Sequence, residues 1–122
     1  MIESALRNRQ LDTCMRNATI LAAVRSFVKD RTPDAALQGL DPEALAVLRG
    51  PDGVAAATPW LHAFRQPLDL YEQFRLDVLD GTAFSDDDVQ KMAEATDKAL
   101  RSLNQTLTAG SWDRSAAQSA PR

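Results

Sequence analysis

Apolar positions along this chain recur mostly at the spacing of helices. The first such pattern covers Met1 to about Arg31. No Pro or Gly interrupts the stretch from Ile2 to Lys29. Thr32-Pro33 then supplies a stop, because a residue that precedes proline is pushed out of the helical region. A helix of about 28 residues is about 42 Å long at about 1.5 Å per residue, whereas a compact chain of this size is on the order of 35 Å across. The helix is therefore expected to span or overhang the body.

Its apolar stripe rotates along its length. At about 100° per residue, Leu11, Cys14, Met15 and Ala18 share one face, while Ile20, Leu21, Val24, Phe27 and Val28 centre about 140° away. A helix packed on one neighbour keeps one face, so this one is expected to meet two. The stretch from Ile20 to Val28 reads as internal core. The Leu11 stripe reads either as a second internal face of a central bundle helix or, with Arg7 and Arg25 on about the same side, as a contact surface for another chain.

Shorter patterns follow. Asp34 to Gly39 reads as a helical turn. Asp41-Pro42-Glu43 is a helix start, with Asp to cap, Pro in the first helical position and an acid in the first turn. Ala44, Leu45, Val47 and Leu48 form its apolar face, and Gly50-Pro51-Asp52-Gly53 ends it in a turn. Val54 to Ala57 has too little contrast to assign. Thr58-Pro59 repeats the signal of a cap followed by proline, and Trp60 and Phe64, four apart, share a face. Gln66-Pro67 interrupts, and a helix is predicted over about 68–79. There Leu70, Tyr71, Phe74 and Val78 share an arc of about 100°, extended by Leu68 and Leu79. Gly81 is its stop.

Ser85-Asp86-Asp87-Asp88 opens the last helix, Ser85 as the cap and the acids at the positive end of the helix dipole. Val89, Met92, Ala93, Thr96, Ala99, Leu100, Leu103 and Leu107 lie within about 120°, and Gly110 closes the pattern. The fold expected is all-α. It is an irregular bundle of four to five helices with a long N-terminal and a long C-terminal helix, the two set antiparallel. One helical domain covers 1–110. A tail, 111–122, is flexible or ordered by a partner, and Trp112 is its one large apolar group.

Composition changes this picture little: 44% hydrophobic and 25% charged residues are ordinary for a globular protein. Charge placement changes it more. The net charge is −3, yet Arg7, Arg9, Arg16, Arg25, Lys29 and Arg31 outnumber Glu3, Asp12 and Asp30 in 1–31, giving +3 there and −6 elsewhere. Residues 69–88 hold Asp69, Glu72, Asp77, Asp80, Asp86, Asp87 and Asp88 against Arg75 alone. A basic helix and an acidic segment can pair within one molecule or steer two together.

Candidate chemistry is sparse. The single Cys14 makes no internal disulfide and offers no paired metal ligand. The Asp86–Asp88 run fails the spacing of a calcium loop, since placing Gly81 at the obligatory glycine puts Leu76 at the first ligand position. His62 has no Ser or Cys neighbour in sequence to serve as a base. Gly50-Pro51-Asp52-Gly53 lacks the Lys and Ser/Thr of a phosphate loop. No catalytic, cofactor or metal residue and no small-molecule substrate is therefore assigned. No stretch approaches the roughly 18 apolar residues of a membrane span, and Glu3 and Arg7 stand where a signal peptide needs an apolar run. The expected location is the cytoplasm, or a particle assembled from it. The expected function is a non-enzymatic interaction module: a small adaptor, chaperone or structural subunit, for example of a phage or secretion-type particle. It would bind a protein partner or itself through Arg7, Leu11, Cys14, Met15, Ala18, Arg25 and Trp112. The alternative is a DNA-binding or antitoxin-like regulator using the basic first helix. Against it, the sequence pI is near 5.0 and the arginines do not fall on one strip.

Overall fold

The computed structural model describes side chains for residues 8–109. The bounds of the first and last helices refer to backbone alone where they pass those limits. Five α-helices occur, with no strand among the described residues: α1 (Ile2–Asp30), α2 (Pro42–Arg49), α3 (Gly53–Ala63), α4 (Arg65–Leu79) and α5 (Asp86–Ser119). A single 3-10 turn, Ala35–Gly39, follows α1. The all-α bundle with long first and last helices is as the sequence predicts. The expected stop at Gly110 and the tail, 111–122, lie outside the described side chains.

Local chemistry explains most boundaries. α1 ends with Arg31 in the left-handed region at φ 61°, its N–H donating to Phe27 O at 2.8 Å, ahead of Thr32-Pro33. α4 ends in a Schellman motif. Gly81 sits at φ 95°, Thr82 N–H donates to Asp77 O at 2.9 Å and Gly81 N–H to Val78 O at 3.1 Å. Ser85 Oγ accepts from Asp88 N–H at 3.1 Å and so caps α5, as expected.

Two boundaries differ from expectation. α3 begins at Gly53 and runs through Pro59, where the sequence placed a start. Proline removes the hydrogen bond to Ala55 O, but Ala55 and Pro59 both lie on the exposed face, where solvent satisfies that carbonyl. α4 begins at Arg65 rather than 68. Pro67 is its third residue, where the N–H has no helical partner to lose.

α1 packs on both α5 and α4, which face each other across an open groove; in chain order α1, α4 and α5 run up, down and up. Cys14 Sγ donates to Val89 O at 3.5 Å, and Asn17 Nδ2 donates to Thr96 Oγ1 at 3.4 Å. Partner numbers rise together, so α1 and α5 are parallel, not antiparallel as expected. α4 is the element that returns. Its start meets the end of α1 through Arg25 and Asp69, 2.9 Å apart. Its later residue Phe74 joins Cys14 and Ala93 in one cluster. α2 and α3 close the other end against the second half of α5. Asp41 N–H donates to Asn104 Oδ1 at 3.1 Å, and Trp60 Nε1–H donates to Ser102 Oγ at 3.0 Å.

The main core is built from Ile20, Leu21 and Val24 of α1, Leu37 and Leu40, Leu45 and Leu48, Trp60, Leu68 and Tyr71, and Leu100, Leu103 and Leu107. Ile20, Leu21 and Val24 are thus internal, as predicted, and Phe27 and Val28 pack against them partly buried. The rotation of the α1 stripe also has its cause. Ile20 lies against Gly39 of the 3-10 turn on one side, while Cys14 lies against α5 on another.

Candidate functional site

The expected contact patch does not survive folding as one surface. Cys14 and Ala18 are buried in the chain's own interior, which corrects their assignment to an interface. Leu11 is half-buried and packs on the Cys14, Phe74 and Ala93 cluster. Met15 faces elsewhere, into a shallow groove with Ala35, Ala36 and Gly39. Arg25 spends its charge on Asp69 within the chain. The sequence shows a real stripe, but Val89 and Ala93 of α5 and Phe74 of α4 cover it. Arg7 and Trp112 lie outside the described residues.

Burial explains the state of Cys14. Desolvation pushes its thiol from an ordinary 9.0 up to about 11, partly offset by its own backbone N–H. It is a packing group, not an exposed nucleophile. His62 is exposed and lies 3.2 Å from Arg65 Nη1 through its Nε2. Among the described residues no three of His, Cys, Asp and Glu gather as a metal set, and no helix is long and apolar enough to cross a membrane.

The feature that the sequence did not single out is a groove between α4 and α5. It has a volume of about 630 Å³ and is lined by Gln66, Pro67, Leu70, Tyr71, Phe74, Phe84, Asp88, Lys91, Met92 and Ala95. Helix geometry creates it. On α4, Leu68, Tyr71 and Phe74 turn inward and are buried, whereas Leu70 stands at the edge of the arc, 58% exposed. The Schellman turn and the short link after it then fold α5 back alongside. Phe84, just before α5, meets Phe74 with ring centroids 4.6 Å apart, which floors the groove at the turn end. Further along, Tyr71 OH donates to Ala95 O at 3.5 Å, which sets the spacing of the two helices. Burial raises the Tyr71 hydroxyl's pKa above its ordinary value.

Its titratable lining is Tyr71, Asp88 and Lys91. Lys91 is held protonated above its usual range, first by its hydrogen bond to Asp87, 3.0 Å away, and then by that carboxylate's charge. Apart from the Gln66 amide the remaining walls are apolar, so the groove offers shape and hydrophobic surface. On the other side of α4, Leu76 and Leu79 are exposed as well. The face assigned from sequence to core packing is therefore covered only along its middle.

No family model, curated protein or solved structure is matched by this chain.

Proposed function

We propose that the protein is a non-enzymatic interaction module, a small adaptor, chaperone or structural subunit of a larger assembly. It docks a protein partner through the α4–α5 groove. The observation that carries this reading is the open apolar channel with Leu70 exposed on its rim. An apolar concavity of this size bounded by two antiparallel helices suits the helix-in-groove mode of recognition. It replaces the Leu11 stripe as the surface offered to a partner.

The test is site-specific photo-crosslinking in the cell of origin. A photoreactive residue at Leu70 is compared with one at Glu43, exposed on α2 at the far end of the bundle. The reading expects a discrete adduct with another polypeptide from position 70 and none from position 43. Identical adducts at both positions, or none at 70, overturn it. Leu70→Asp serves as the loss-of-contact control. Its side chain already faces solvent, so the melting temperature is expected to hold.

A further inference from the structure

We infer that the occupant of the groove is a basic amphipathic helix of another polypeptide, held in one direction with its positive residues over the α4–α5 turn. This deepens the docking reading above and rests on it.

Length argues for a helix of about two turns. The α4 wall runs from Gln66 to Phe74, about 12 Å at about 1.5 Å per residue. The α5 wall from Asp88 to Ala95 is about 10 Å long. Such a channel takes apolar anchors at i, i+4 and i+7.

Charge argues for sign and direction. The turn end carries Asp77, Asp80, Asp87 and Asp88, while Asp86 already has a partner within the chain. The Arg75–Glu72 pair is neutral and Lys91 is the cation of the groove lining, so four aspartates against one lysine leave −3 there. The positive end of the α5 dipole offsets about half a charge. At the opposite end Asp69 is paired with Arg25, and Arg65 and Lys98 against Glu94 leave +1. The groove therefore runs from negative at the turn to slightly positive at its far end. A helix with Lys or Arg at one end gains attraction in one orientation and loses it in the other. The basic helix of this chain is not the occupant, because α1 already buries Ile20, Leu21 and Val24 in its own core.

The experiment titrates the full-length protein with synthetic peptides of about fifteen residues and follows backbone amide shifts. One peptide carries leucines at i, i+4 and i+7 with lysines at one end. A second has glutamates in place of the lysines, and a third scrambles the first. The expected result is shifts at Leu70, Phe84, Met92 and Ala95, and a preference of about tenfold or more for the basic peptide over the acidic one. That preference shrinks at about 0.5 M salt. Asp77→Lys with Asp80→Lys abolishes it. Those two sites spare the Ser85 cap and place cations at the negative end of α4, so folding is retained. Melting curves of this double variant confirm it.

Equal or tighter binding of the acidic peptide overturns the inference, as does equal binding of the scrambled one. Broadening of groove amides with protein concentration alone, together with a dimer mass by light scattering, assigns the groove to a second copy and also overturns it. In each of these cases an adduct at position 70 leaves the interaction-module reading standing. Absence of both the adduct and any peptide shift removes the two together.

Discussion

Gly53 shows how much one missing Cβ can decide. It is the first residue of α3, and a Cβ placed there would overlap the carbonyl oxygens of Val47 and Leu48 at the end of α2. Backbone atoms cannot swing aside as a side-chain end can. Gly53→Ala is expected to cost about 3 kcal/mol or more, by forcing the α2–α3 corner open. Gly50→Ala, where the nearest atoms are Val47 O at 3.3 Å and Ala46 O at 3.4 Å, needs only a small backbone adjustment and should cost about 1 kcal/mol. Urea midpoints of the two variants separate these outcomes, and equal midpoints would mean the corner is not tight. Nothing in the sequence distinguishes the two glycines, since the close approach depends on the angle at which α3 leaves α2. Cys14 gives a second test. An unfolded chain ionises its thiol near 9.0, whereas the folded chain holds the proton to about 11. Between those values the native state binds more protons, so stability is complete below pH 9 and falls as pH rises through 9 to 11, by up to about 3 kcal/mol. Tyr71 shifts in the same direction and adds to the slope. Cys14→Ala should therefore be flatter than wild type across this window while keeping the tyrosine's share. Parallel pH profiles for the two proteins would show that the thiol does not titrate with folding.

At the scale of elements, helix ends with side-chain or glycine chemistry are legible and those set by packing are not. Ser85 and Gly81 are read from sequence because a hydroxyl that accepts from Asp88 N–H and a residue at φ 95° require those residue types. The pairing of Trp60 and Phe64 is legible too, and their rings stack with centroids 4.3 Å apart. The stretch from Val54 to Ala57 is not, because small apolar residues on all sides give no contrast from which to assign a face. Pro59 misleads for another reason: its cost as a helix breaker falls on an exposed face and is met by solvent. Ser85→Ala is expected to lower stability by about 1 kcal/mol. Ser85→Asp, which keeps an acceptor at the cap, should recover most of it. Thermal melts measure both, and an unchanged Ser85→Ala would place the start of α5 elsewhere. The groove is half legible in the same sense. Leu70, Tyr71 and Phe74 are read correctly as one apolar arc of α4. How far α5 covers that arc depends on the turn and on Phe84, which no periodicity reports.

Over the whole molecule, the order of helices in space is what the sequence leaves open. Two long helices at the ends of a chain suggest an antiparallel pair, but that presumes they are joined like a hairpin. Here α2, α3 and α4 lie between them in the chain, and α4 runs antiparallel to both, packed on α1 and facing α5 across the groove. The long helices are then left parallel, with Cys14 level with Val89 and Asn17 with Thr96. This direction can be measured with spin labels at exposed positions in a Cys14→Ala background. Lys29 and Gln105 lie about 18 Å and about 14 Å along their helices from the Asn17–Thr96 level. Labels there should therefore give a short separation, near the bundle width. Lys29 and Asp87 lie on opposite sides of that level and should be on the order of 30 Å apart along the axis. An antiparallel pair would reverse the two results. That outcome would also move Val89 away from Cys14, undo the cover over the Leu11 stripe, and return that stripe to the surface.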